Sequence, residues 1–170
     1  GQGSAKIIEV LNINQPSNTK GDQPYTKIAL YDHDIPFTFS DLAIEQADKA
    51  KPTPLNKRDD LRNIALITID DEDARDFDDA VSLELLAGGK LRLGVHIADV
   101  SHYVQPGSLI DQSAEFRGTS IYLPGRVIPM LPERLANDLC SLRPDEDRLV
   151  KTAFLTFSSS GELLETELCR

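Results

Sequence analysis

Apolar and polar residues alternate most regularly between residues 80 and 97. Val81, Leu83 and Leu85 interleave with Ser82 and Glu84, and Leu91, Leu93 and Val95 interleave with Arg92 and Gly94. A period of two puts one set of side chains on one face of a strand. Gly88-Gly89 between the two runs supplies a turn, so 80–97 is predicted to be a β-hairpin. A second hairpin is predicted over 150–157 and 163–168, around Ser158-Ser159-Ser160-Gly161. The unbroken run Ile64-Ala65-Leu66-Ile67-Thr68-Ile69 predicts a strand covered on both faces, ending at Asp70. Residues 6–11 predict a strand, 12–23 a loop, and 26–31 form a short apolar segment.

Helical signals are shorter. Ser40 can cap a helix over 41–50 with Leu42, Ala43, Ala47 and Ala50 as its apolar stripe, ended by Pro52 and Pro54. Pro106-Gly107-Ser108 opens another helix, with Asp111 in capping-box position and Gly118 as its stop. Residues 121–132 carry three prolines and predict an irregular path, and 132–142 a short helix bearing Leu135 and Leu139. No internal repeat is visible. The predicted fold class is α+β: a mixed, mostly antiparallel sheet with β-hairpins and short helices.

Composition narrows the function classes. The 170 residues carry a formal net charge of −10. Bulk attraction to a polyanion rests on Lys and Arg, so a simple basic nucleic-acid-binding domain is excluded. A metal-assisted enzyme acting on nucleic acid is not. At 40% hydrophobic residues there is material for a core. No apolar run approaches a membrane span, so no membrane partner is expected. Cys140 and Cys169 are too few for a disulfide framework and read as inert thiols in the cytoplasm. Gly1-Gln2-Gly3-Ser4, without an initiator Met, reads as a cloning remnant, and the stop at Cys169-Arg170 as a cut within a longer protein.

More than half of the net charge sits in one stretch, residues 70–79, with seven acids and one base. Two carboxylates 4 Å apart repel by about 4 kcal/mol at an effective dielectric near 20. A solvated run between two strands is one reading of such a loop. An EF-hand fails, because a start at Asp71 puts Asp76 at the required Gly and Ser82 at the required Glu, and a start at Asp73 puts Asp78 at the Gly. The third reading is a catalytic site for a hard divalent cation, where carboxylate oxygens hold an ion near a scissile phosphate. Asp70 at a strand end and Asp76, Asp78 and Asp79 before the next strand suit that purpose.

At these residues the sequence resembles the ribonuclease II/ribonuclease R family, through its catalytic RNB domain. Thr68-Ile69-Asp70 followed by Asp76-Phe77-Asp78-Asp79-Ala80 is similar to the family's four-aspartate signature. The run from Val95 through His96, Asp99, Ser101 and His102 to Val104 resembles the next block and is nearer the ribonuclease R branch. Tyr122-Leu123-Pro124-Gly125, Ile128-Pro129-Met130-Leu131-Pro132 and Leu139-Cys140-Ser141-Leu142 resemble later blocks, and the likeness begins near Asp32-His33-Asp34-Ile35-Pro36.

The resemblance implies a processive, Mg²⁺-dependent (Mn²⁺ is also suitable) 3′-to-5′ exoribonuclease that hydrolyses single-stranded RNA to nucleoside 5′-monophosphates. It implies that Asp70, Asp76 and Asp79 hold metal, that Asp78 is essential to the chemistry, and that Tyr122 packs against RNA near the 3′ end. It also implies an incomplete domain: 1–4 a remnant, 5–60 a leading segment, and 61–170 the N-terminal half of the RNB domain. The second half and the flanking OB-fold domains supply further catalytic and RNA-gripping residues, so the fragment alone is expected to be inactive and to bind RNA weakly. The alternative is a non-catalytic RNA-binding or scaffold module with an acidic cation-binding loop. His96 and His102 read as interior groups, Asp99 as a turn cap, Gly88-Gly89 as a turn rather than a phosphate loop, and Arg117 and Arg126 as either phosphate contacts or plain surface.

Overall fold

The computed structural model describes residues 9–11, 24–53, 55 and 57–170. The expected remnant at 1–4, the loop over 12–23 and the first half of the strand expected over 6–11 lie outside the described residues, and residues 9–11 form no strand. Four antiparallel strands form the main sheet in the order β1-β2-β5-β6. They are β1 (Asp79–Leu86), β2 (Lys90–Ala98), β5 (Val150–Phe157) and β6 (Leu163–Cys169). Both hairpins stand where the alternation predicts them. The first turns through Gly88 and Gly89 at φ of 74° and 72°, a left-handed path that glycine adopts without a Cβ clash.

The run 64–69 corrects an expectation. It is not a strand covered on both faces: it makes one bridge, Ile67 with Val81, at the free edge of β1. Leu66, Ile67 and Ile69 are exposed, Ile69 to 83%. Apolar composition signals a tendency to be buried but does not name the covering surface. Here the segment runs beyond the last paired strand.

The α-helices among the described residues are α1 (Pro24–Asp32), α2 (Asp41–Asp48), α3 (Val100–Tyr103) and α4 (Leu109–Arg117), with α2 packed against α4. The apolar segment 26–31 is thus helical. Ser40 caps α2 by accepting from the Ala43 N–H at 3.3 Å, as expected. The stripe of α2 is narrower than predicted: Ala43 and Ala47 are buried but Leu42 is 61% exposed. Ser108 caps α4, Asp111 reaches back to the Gly107 N–H at 2.8 Å, and Gly118 closes the helix at φ 74°. Within 121–132 two three-residue strands, β3 (Ile121–Leu123) and β4 (Arg126–Ile128), form a separate ribbon. The short helix predicted over 132–142 is a π-turn, Leu135–Leu139.

The core gathers Ala47, Ala98, Tyr103, Ile110, Leu131, Leu135, Leu139, Cys140 and Leu149. It therefore joins α2 to the C-terminal end of β2, to α4 and to the π-turn. Among the described residues no helix is long and apolar enough to cross a membrane.

Candidate active site

Between Asp70 and β1 the chain has no regular structure, so its shape depends on a few named hydrogen bonds. The Ala74 N–H closes a turn on the Asp71 carbonyl at 3.0 Å. The Phe77 N–H donates to Ser141 Oγ at 3.2 Å, and Ser141 Oγ donates to the Arg75 carbonyl at 2.7 Å. The Phe77 carbonyl accepts from the Leu142 N–H at 2.9 Å, and the Asp78 carbonyl from the Ala98 N–H at 2.9 Å. Asp79 then enters β1 opposite Ile97.

This path gathers the four aspartates singled out from the sequence. Loss of hydration raises the proton affinity of Asp78 most, and the charges of Asp76, Asp79 and Asp70 raise it further. Tyr122, on β3 and 64% exposed, donates its phenol hydrogen to Asp76 Oδ2. That bond, with some loss of hydration, pushes the phenol up to about 12. The site thus presents hard carboxylate oxygens, a donor set that fits a divalent cation such as Mg²⁺ or Mn²⁺. Among the described residues the carboxylates are near one another but are not drawn together in threes at ligand spacing.

The remaining candidates resolve structurally. His96 is fully buried, with Nε2 2.9 Å from Ser82 Oγ and Nδ1 2.9 Å from Thr152 Oγ1. Burial lowers its proton affinity, so it is a satisfied, neutral interior group. Asp99 corrects an expectation: it precedes α3 but makes no capping bond. Its side chain is buried and paired instead with Arg58 Nη2 at 2.6 Å. His102 is half-buried between Arg58 Nη2 at 3.3 Å and the Lys51 carbonyl at 3.2 Å. Arg117 is committed within the fold, donating to the carbonyls of Pro36 at 2.5 Å and Thr38 at 2.7 Å and lying 3.7 Å over the Phe39 ring. Arg126 lies 5.6 Å over the Phe37 ring. Cys140 is buried, which pushes its thiol up to about 12 and makes it unreactive. Cys169 is partly buried and also raised by burial.

Ser141 was legible only as part of the Leu139-Cys140-Ser141-Leu142 block. Nothing in its local sequence marks it as a partner of a loop more than sixty residues earlier.

The RNB domain family matches residues 58–170. Over 162 residues the chain is 48% identical to "Ribonuclease R" of Escherichia coli (strain K12), an alignment that spans 93% of this chain and 19% of that protein. Two solved structures of Mycoplasma genitalium RNase R are also similar. One is in complex with ribose methylated single-stranded RNA, with a TM-score of 0.79 at 35% identity over 87% of this chain and 24% of that one. The other is in complex with double-stranded RNA, with a TM-score of 0.80 at 35% identity over 87% of this chain and 27% of that one. The chain therefore spans a minor part of the length of these relatives. With its mixed fold, antiparallel hairpins and four-aspartate loop, the chain belongs to the RNB domain family.

Proposed function

We propose that residues 61–170 are the N-terminal half of the catalytic domain of a processive 3′-to-5′ exoribonuclease, with 5–60 leading into it. Its substrate is single-stranded RNA and its products are nucleoside 5′-monophosphates. The observation that carries the reading is the match of residues 58–170 to the RNB domain family, with Asp70, Asp76, Asp78 and Asp79 in the segment that leads into β1. The RNA complexes of the Mycoplasma genitalium relative support RNA as the substrate class.

In this reading Asp70, Asp76 and Asp79 hold Mg²⁺ or Mn²⁺. When bound, the cation supplies charge neutralisation at the scissile phosphate and a more acidic water. Asp78, next in the chain to Asp79, would organise the cation and the attacking water. Tyr122 offers an exposed ring on which the base near the 3′ end stacks, worth roughly 1–3 kcal/mol per base. Its hydroxyl bond to Asp76 couples that ring to the acidic loop.

In this reading the chain alone is inactive because it holds only part of the catalytic domain, and it binds RNA weakly because its net charge is −10. Two free thiols, one of them buried, suit a reducing cytoplasm.

The test uses the full-length protein and 5′-labelled single-stranded RNA. Stepwise shortening from the 3′ end, dependent on Mg²⁺ and abolished by Asp78→Asn, is the expected result. Unchanged turnover in Asp78→Asn would overturn the assignment of the acidic loop.

A further inference from the structure

We propose that Ser141 is a positioning residue for the acidic loop, setting its readiness to bind the divalent cation; this rests on the catalytic reading above. The Ser141 hydroxyl is fully buried and bonds the backbone on both sides of Asp76. It donates to the Arg75 carbonyl at 2.7 Å and accepts from the Phe77 N–H at 3.2 Å. The next residue adds the bond from the Leu142 N–H to the Phe77 carbonyl at 2.9 Å. Residues 141 and 142 thus satisfy three backbone groups of a segment that has no secondary structure to satisfy them. A hydroxyl can donate and accept at once from one short side chain, which Ala cannot do.

Ser141 is itself held rigidly. The π-turn Leu135–Leu139 buries Leu135 and Leu139 in the core and closes with a bond from the Cys140 N–H to the Leu135 carbonyl at 2.8 Å. π-Turns of this kind recur at functional sites. Arg148 Nε donates to the carbonyls of Asp138 at 3.0 Å and Ser141 at 2.9 Å, which ties off the end of the turn. Arg148 in turn is fixed by Glu146 at 2.6 Å and Asp138 at 3.3 Å.

Seven acids in ten residues repel one another. Without the bracket around Asp76 the loop can spread, and a cation would have to gather it again. Part of the binding free energy would then go into ordering the loop. The mechanism requires an effect on metal dependence, with little on RNA binding, because Ser141 is buried away from any substrate.

In the full-length protein, Ser141→Ala is expected to raise the Mg²⁺ concentration for half-maximal turnover on the order of tenfold. Most of the kcat should return at saturating Mg²⁺, with the KM for RNA unchanged. Ser141→Cys keeps the buried volume while losing the strong hydroxyl bonds; it should show the same shift, and it carries the test if the alanine variant does not fold. Melting in the absence of metal is measured alongside. A lowered Tm with wild-type Mg²⁺ dependence would make Ser141 a purely structural residue and overturn the proposal. Asp78→Asn is assayed in parallel. If that variant keeps full turnover, the catalytic reading itself fails. If it is inactive while Ser141→Ala and Ser141→Cys keep wild-type metal dependence, only the positioning role fails.

Discussion

Tyr122 donates its phenol hydrogen to Asp76 Oδ2, a contact between residues 46 apart in sequence. It ties the β3–β4 ribbon to the acidic loop. The bond to a carboxylate stabilises the protonated phenol and pushes it up to about 12. Replacing Asp76 by Asn removes the negative acceptor, so the Tyr122 phenol should titrate nearer the usual tyrosine value of about 10. Absorbance titration of tyrosinate in the wild-type chain and the Asp76→Asn variant reads the difference. Identical curves would mean that the contact does not form in solution.

Asp78 gives a prediction about pH. Its proton affinity is higher in the folded chain than in the unfolded one, through lost hydration and then the charges of Asp76, Asp79 and Asp70. The folded state therefore holds the proton more tightly, and this group's contribution to stability falls as pH rises through the carboxylate range. At neutral pH without metal, Asp78→Asn should raise the Tm. The gain should shrink toward about pH 4, where the wild-type carboxyl is also becoming neutral. Adding Mg²⁺ should raise the wild-type Tm at neutral pH, and a chelator should reverse the rise.

The elements that sequence patterning reveals here are those whose partners are local. Strands β1 and β2 alternate and share a glycine turn, so each reports the other. Ser40 and Ser108 act within three residues of themselves. The four aspartates stand out through their resemblance to the family's signature, and the charge of the stretch alone leaves a solvated run open. The run 64–69 misled because hydrophobicity is a property of the segment, while burial depends on a second surface. Arg117 and Asp99 looked like surface and cap residues because their partners, Thr38 and Arg58, lie 79 and 41 positions away. Ser141 was obscure for the same reason, since both its partners lie across the fold.

Gly94 tests the packing beneath the first hairpin. A Cβ there would collide with Ser82 Oγ, lie 2.6 Å from His96 Nε2 and 3.0 Å from Phe154 Cε1. The bond between Ser82 and His96 occupies that space, so there is no room for a methyl group. Gly94→Ala should destabilise the chain by about 1–3 kcal/mol, the usual range for overpacking. Urea unfolding measures it. A loss well below that range would show that the Ser82–His96 pair can move aside.

The pair Arg58–Asp99 gives the largest expected effect. Arg58 Nη2 stands 2.6 Å from Asp99 Oδ2, with side chains 11% and 1% exposed. Burial opposes ionisation of Asp99, but hydrogen bonds from Arg58 and Ser101, with the charges of Arg58 and Lys151, overcome it and hold the carboxyl below its usual range. Arg58→Met removes the main compensation and leaves a buried carboxylate with Lys151, at 3.7 Å, as its remaining charged partner among the described residues. Stripping one member from a buried pair costs about 3–5 kcal/mol. The lower end is expected here, because Lys151 remains and Asp99 can take up a proton. The sign of the pH dependence follows. The wild-type pair stabilises the fold above the unfolded carboxylate range and loses that contribution as pH falls through the lowered value. The stability gap between wild type and Arg58→Met in urea should therefore be widest at neutral pH and narrow on acidification. A gap that stays constant with pH would mean that the arginine acts through packing alone.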